Sequence, residues 1–242
     1  MSPKIYQEMA ELEKSHWWFV ARRTILSKVL QSLTLPAEPQ ILEFGCGTGG
    51  NLDMLRTFGE VTAVEMNEFA RKHAQLQSDC RILPGHLPNN IPELPAHDLV
   101  CLLDVLEHIP DDFLALQALH RLVKPNGHLL LTVPAYQWLW GPHDEAHHHQ
   151  RRYRAGTLRA LAEQAGWRVQ RIGYFNTLLL PLVAIHRTQQ RLFSGKNSGS
   201  DMQMPMSWVN LLFRTIFSSE ALWLRRHTFP CGVSILAILK PR

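Results

Sequence analysis

The sequence holds no uncharged apolar run of the roughly 18–20 residues needed to span a bilayer. The longest candidate, residues 172–186, is shorter and is interrupted by Pro181. Four cysteines are present, Cys46, Cys80, Cys101 and Cys231, but they form no C-x-x-C pair and no zinc-ribbon spacing. A disulfide framework and a cysteine-ligated metal are therefore not expected. Residues 1–15 are polar and mixed in charge, with no apolar h-region. That removes a secretory leader from the reading and leaves a cytoplasmic protein with reduced thiols. Repeats and low-complexity tracts are also missing. What remains is a chain of 242 residues, 45% of them apolar, long enough to bury a full core without staples.

The net charge of +4 is unevenly spread. Residues 1–180 carry 17 Lys and Arg against 19 Asp and Glu, whereas residues 181–242 carry 8 against 2. The first part is too acidic to suggest a nucleic-acid groove. The tail is basic and also rich in Trp, Phe and Leu, which suits either an acidic or lipid surface or a solvated face on a packed helical cap.

Residues 1–35 read as one helix, closed by Pro36 and Pro39. Short apolar runs then alternate with amphipathic ones. Residues 40–45, 61–66, 81–83, 98–103, 128–133 and 167–175 read as strands. Residues 51–58, 68–77, 111–123 and 157–165 read as helices, with Asp111 as an N-cap and Gly166 as the closing glycine. Pro125-Asn126-Gly127 reads as a turn. Strands alternating with helices predict an α/β fold, a parallel sheet covered on both faces. Residues 176–231 depart from the pattern. They hold a wide-arc apolar helix over 207–226, with Asn210, Arg214, Ser218 and Arg225 on a narrow polar stripe, and a composition-flexible loop at 194–200. Residues 233–239 supply a last strand.

The strongest motif is Glu43-Phe44-Gly45-Cys46-Gly47-Thr48-Gly49, between a strand and a helix. Glycines there let the backbone turn sharply and approach a ligand. The spacing is G-x-G-x-G, and Glu43 stands just before it. A carboxylate at that place repels a pyrophosphate and favours a ligand with a cationic amino acid end. It argues against a nicotinamide dinucleotide and for S-adenosylmethionine. Glu65, twenty residues after Gly45, closes the second strand and can accept both hydroxyls of a ribose.

ILEFGCGTGG, VTAVE, HDLVCLLDVLEHIPDD and KPNGHLLLTVP, in this order, resemble the successive motifs of class I S-adenosylmethionine-dependent methyltransferases over about residues 40–175. The resemblance implies a Rossmann-like seven-stranded sheet of order 3-2-1-4-5-7-6, the last strand antiparallel. It also implies an organisation of 1–39 as a helical cap, 40–175 as the cofactor-binding core, 176–231 as a helical insertion and 232–242 as the final strand. Carried over residue by residue, it assigns Glu43, Phe44, Gly45, Cys46, Gly47 and Gly49 to the methionine end of the cofactor. Glu65 falls to the ribose, and Met66, Gly85, His86 and Leu87 to the adenine. Asp104, Val105 and His108 form the segment beneath the cofactor. His86 stands where such enzymes often have an acid, a departure that opens the adenine contact.

The loop after the fifth strand is long and crowded with titratable groups, and it leaves the sheet at the ligand-binding edge. Three readings stand. One of His143, Asp144 or His149 is a general base for an acceptor hydroxyl. Or His143, His147 and Asp144 hold a metal, although no completing ligand is visible and none is expected. Or the cluster pins a lid. Trp17, Trp138, Arg151, Arg152 and Tyr153 are the candidate acceptor-binding residues, the arginines for an anionic group. The stretch from His149 to Tyr153 resembles a sub-group associated with glycan or lipid-linked metabolism. The expected activity is methyl transfer, at oxygen, to a small or lipid-linked acceptor, with peripheral membrane contact through residues 207–226. A non-catalytic cofactor-binding scaffold and a nicotinamide-dependent oxidoreductase are the other readings.

Overall fold

The computed structural model describes residues 3–193 and 203–242. The chain opens with two helices, α1 (Pro3–Leu12) and α2 (Trp17–Leu30), not the single helix expected. They break where His16 adopts extended backbone and its ring accepts the Trp18 N–H at 3.3 Å, a side-chain cap that starts a new helix.

The alternating core follows as β1 (Gln40–Phe44), α3 (Leu52–Arg56), β2 (Glu60–Glu65), α4 (Glu68–Gln77), β3 (Arg81–Pro84), β4 (His97–Leu103), α5 (Asp112–Leu119), β5 (Val123–Pro134), α6 (Pro142–Ala146), α7 (Ala155–Gln164) and β6 (Trp167–Phe175). Then come α8 (Leu180–Phe193), α9 (Ser207–Leu224) and β7 (Ser234–Pro241). The seven strands lie in the order β3-β2-β1-β4-β5-β7-β6. All pairings among β1 to β5 are parallel, while β7 runs antiparallel to both β5 and β6. The order reverses between β1 and β4, the place where open α/β sheets bind ligands.

Both faces of the sheet are covered, which explains its near-continuous apolar strands. Leu42, Phe44, Val100, Leu102, Leu129 and Leu131 pack with Leu116 and Leu119 of α5 and Leu158 and Ala162 of α7 on one side. Ile41, Leu99, Cys101, Leu130, Leu236 and Ile238 pack with Ile25 and Val29 of α2 and Phe217 of α9 on the other. Alternate residues of one strand thus serve two cores.

Two local expectations change. The turn at Pro125-Asn126-Gly127 lies inside β5. His97 pairs with Val123 and Leu99 with His128, so residues 124–127 bulge from the strand. Gly127 lies so close to the His97 and Asp98 carbonyls that a Cβ would come within 2.9 Å of each. The helix expected over 111–123 ends at Leu119 and tightens into a 3₁₀ turn, although Asp111 does cap it by accepting the Leu114 N–H at 2.9 Å.

The insertion is anchored at both helices. Glu220, buried on α9, accepts the backbone N–H groups of Asn176, Thr177 and Leu178 at 2.7, 2.7 and 2.8 Å. Asn210 does not join a solvated stripe. Its side chain accepts the Trp17 N–H at 2.8 Å and donates to the Ser15 carbonyl at 2.9 Å, locking α9 to the start of α2. The loop at 194–200 lies outside the described residues.

Candidate functional site

A cavity of about 1010 Å³ opens at the carboxyl ends of β1, β2 and β4 and is roofed by α1, α2, α8 and α9. Its volume is at the upper end for small-molecule sites, room for two ligands side by side.

The glycine loop forms the floor. Gly45 and Gly47 have φ of +78° and +56°, which side-chain-bearing residues rarely adopt. At Gly45 a Cβ would meet Val105 at 2.6 Å, whereas at Gly47 nothing lies within 4 Å, leaving a cradle open to the cavity. Glu65 holds the loop. Its Oε2 accepts the Gly47 N–H at 2.8 Å and its Oε1 accepts the Asn67 N–H at 2.7 Å. Each oxygen keeps a lone pair, which suits two ribose hydroxyls. Phe44, Gly45, Cys46, Gly47, Met66, Gly85, His86, Leu87, Asp104, Val105 and His108 all line the same cavity. Gly49 does not; it packs against Ala74 on α4.

Glu43 stands behind the loop, fully buried. Its Oε1 accepts from Asn51 Nδ2 at 2.8 Å, and its Oε2 has no partner. Burial pushes its carboxyl up to about 7. Glu43 does not itself line the cavity, but its unpartnered oxygen lies at the strand end that leads into the cradle and suits the ammonium end of S-adenosylmethionine. Glu13, which the sequence reading missed, joins it from the turn after α1. Its Oε2 accepts the Thr48 hydroxyl at 2.6 Å, and burial raises its carboxyl too. Arg22 closes this end by ion-pairing with Asp104 and donating to Asn51 Oδ1 at 3.3 Å and Thr132 Oγ1 at 3.2 Å. Asp104 itself has φ of +57° at the tip of β4.

The histidine-rich loop forms the far wall. Asp144 is fully buried and takes every bond its oxygens have room for. Oδ1 meets His149 Nδ1 and Arg152 Nε at 2.8 Å each; Oδ2 accepts the Gly141 N–H at 2.8 Å and Arg152 Nη2 at 2.9 Å. Burial alone would raise this carboxyl, but the bonds from His149 and Arg152 outweigh it and hold it well below the usual carboxylate range. Of the three groups considered as a base from the sequence, Asp144 has both oxygens occupied and is walled off from the cavity, whereas His143 and His149 line it. The contact to Asp144 is made through Nδ1, which leaves Nε2 as the second nitrogen of the His149 ring. The His149 ring stands edge-on to His108 at 4.6 Å between centroids, and His143 lies tilted against His147 at 4.1 Å. Burial pushes His108 down to about 3 and His147 to about 4, and drives His143 well below its ordinary value, so these three are neutral.

The proposed anion-binding arginines have internal partners. Arg152 belongs to Asp144, and Arg151 pairs with Asp112 at 2.7 Å and with the Pro110 carbonyl at 2.6 Å. Tyr153 donates its hydroxyl to Asp112 at 2.8 Å. Of the five acceptor-side candidates only Trp17 and Arg152 line the cavity; Trp138 stacks on Tyr136, at 5.8 Å between centroids, outside it. Trp18, Leu179, Leu182, Val183 and Phe213 complete an apolar wall.

A reversed parallel sheet with a G-x-G-x-G floor, an acid at the tip of β2 and an antiparallel last strand defines a class I S-adenosylmethionine-dependent methyltransferase. A family model described as a methyltransferase domain matches residues 18–172, more than half of the chain, and the chain belongs to that family. A ubiquinone biosynthesis O-methyltransferase of Alkalilimnicola ehrlichii is 37% identical over 102 residues, 39% of this chain and 41% of that protein. One of Yersinia pestis is 32% identical over 147 residues, 52% of this chain and 60% of that protein. The chain therefore spans about half the length of these curated relatives. Among solved structures, a SAM-dependent methyltransferase of Archaeoglobus fulgidus shares the fold with a TM-score of 0.59 at 18% identity, covering 90% of this chain and 94% of that one. One of Aquifex aeolicus does so with a TM-score of 0.56 at 21% identity, covering 72% and 93%.

Proposed function

We propose that this protein methylates a hydroxyl oxygen on a small, apolar or lipid-linked acceptor. The observation that carries the reading is the continuity of one cavity from the Gly45–Gly47 cradle, past His149, to the apolar wall of Trp17, Trp18, Leu182 and Phe213. The O-methyltransferase names of the curated relatives support oxygen as the methylated atom.

S-adenosylmethionine bound here would supply an activated methyl group for transfer from its sulfonium to the acceptor oxygen. Glu65 would hold the ribose and, with Glu43 and Glu13 toward the cationic end, would orient the cofactor. The cradle at Gly47 admits the ligand's backbone-side atoms. The acceptor hydroxyl lies against Nε2 of His149, which takes its proton, while Asp144 fixes the ring and stabilises the resulting charge. Trp17, Trp18 and Phe213 exclude water from the reacting oxygen, which strengthens these interactions.

The outer faces of α8 and α9 support delivery of the acceptor from a membrane surface. Trp208, Leu211, Leu212, Leu182 and Ile185 are all exposed, Leu182 also lines the cavity, and Arg225 and Arg226 follow α9. No helix among the described residues is long and apolar enough to cross a membrane, so the contact is peripheral.

The test is transfer of a labelled methyl group to hydroxylated aromatic acceptors with and without an apolar tail. Label on oxygen, greater with the tail and lost in His149→Gln, supports the reading. Cofactor binding with no transfer to any hydroxyl acceptor overturns it.

A further inference from the structure

Glu107 is the least explained side chain of the site. It is fully buried, it lines the cavity, and neither carboxylate oxygen has a hydrogen-bond partner. An isolated buried carboxylate is costly unless a cation meets it. The nearest arginines are committed elsewhere, Arg22 to Asp104 and Arg152 to Asp144.

Beside Glu107 stand two imidazoles. One ligand atom from each of Glu107, His108 and His149 lies within 4.8 Å of the others. Both rings are oriented by their second nitrogens. His149 gives Nδ1 to Asp144 at 2.8 Å, and His108 is hydrogen-bonded to the His147 backbone. A carboxylate or carbonyl behind each histidine, fixing the tautomer and leaving a lone pair free, is the usual support of a metal ligand.

We infer that Glu107, His108 and His149 form a divalent-cation site. Two imidazoles and one carboxylate suit zinc, iron(II), cobalt(II) or manganese(II), held at about 2.1 Å from each ligand after a small closure of the rings. Three protein ligands on one side leave the cavity side open, which suits an acceptor with two adjacent oxygens. The site deepens the proposed function and rests on it in one respect: the ion occupies the place where the acceptor oxygen must come. With the ion bound, the His149 lone pair is committed to it. The ion then acidifies the acceptor hydroxyl, and the proton leaves to water at the cavity mouth.

The signal was split in the sequence. Glu107 and His108 follow β4, His149 lies beyond β5, and only the parallel pairing of these strands brings them together.

The test begins with chelator-treated protein. Zinc is titrated calorimetrically, and cobalt(II) by its visible absorption, into wild type, Glu107→Gln and His149→Gln. The expected result is one ion per chain, with binding weakened by about a hundredfold or more in both variants while S-adenosylmethionine binding stays intact. Glu107→Gln should also raise the melting temperature of the ion-free protein, because it removes a lone buried acid. Absence of a cobalt spectrum in wild type, or equal binding in the variants, overturns the site. Methyl transfer by the chelator-treated wild type is measured separately. If it persists and depends on His149, the proposed function stands without the ion. If the ion binds and no hydroxyl is methylated, the site stands and that function falls.

Discussion

Asp144 Oδ1 lies 2.8 Å from His149 Nδ1 and 2.8 Å from Arg152 Nε, so one buried carboxylate oxygen orients both the imidazole and the guanidinium. The two roles cannot be separated by substitution. Asp144→Ala leaves Arg152 buried without its partner, a change that typically costs about 3–5 kcal/mol. Urea unfolding should show a loss of that order. Asp144→Asn keeps the shape and loses less stability, yet it should still reduce methyl transfer, because Nδ1 is no longer the favoured site of the proton.

Glu65 is expected to dominate cofactor affinity. Glu65→Ala removes the acceptor for the ribose and frees the Gly47 N–H. Hydrogen bonds to a charged group of this kind correspond to a weakening of about ten- to a hundredfold. Calorimetric titration with S-adenosylmethionine reads it directly, and an unchanged dissociation constant would remove Glu65 from the site.

Gly45 and Gly47 should respond differently to alanine. Gly45→Ala drives a methyl group into Val105 in a left-handed backbone, so stability should fall by about 1–3 kcal/mol. Gly47→Ala meets open space, costs roughly 1 kcal/mol in backbone strain, and instead fills the cradle. Denaturation midpoints and cofactor affinities measured on both variants should therefore rank in opposite orders.

The raised carboxyl of Glu43 predicts a pH dependence with a definite sign. Its ordinary value of 4.5 applies to the unfolded chain and a value of about 7 to the folded one. Between these the folded state holds more protons, so the contribution to stability is present below about 4.5 and is lost as pH rises through about 7. Wild type minus Glu43→Gln should lose about 3 kcal/mol across that window in the ligand-free protein. A difference that stays flat from pH 5 to 8 would show that Glu43 keeps its ordinary acidity. Cofactor binding, which calls for the charged form, should strengthen over the same range.

The exposed aromatic face predicts membrane contact. Wild type should float with anionic vesicles, and the triple variant Trp208→Ser, Leu211→Ser, Leu212→Ser should not. Cofactor affinity should stay unchanged in the triple variant, since none of these residues lines the cavity.

The sequence spelled out what is local. The glycine loop, Glu65 and the strand alternation each sit in one short segment, and periodicity with glycine chemistry was enough to place them. The side chains that escaped reach across the chain. Glu13 meets Thr48, Glu220 meets the residues after β6, and Glu107 comes within 4.8 Å of a ring nitrogen of His149, proximities that no local period encodes. The carboxylate partners of Arg151 and Arg152, Asp112 and Asp144, were hidden for the same reason. Asn210 looked like a surface residue on a helical wheel, and only the packing of α9 on α2 turned it inward.

Glu13 reaches from the roof of the cavity to Thr48, on the very loop that the roof covers. The lid and the floor of the cavity are thus tied to each other directly, and parting them to pass a ligand would break this bond as well as the packing around it.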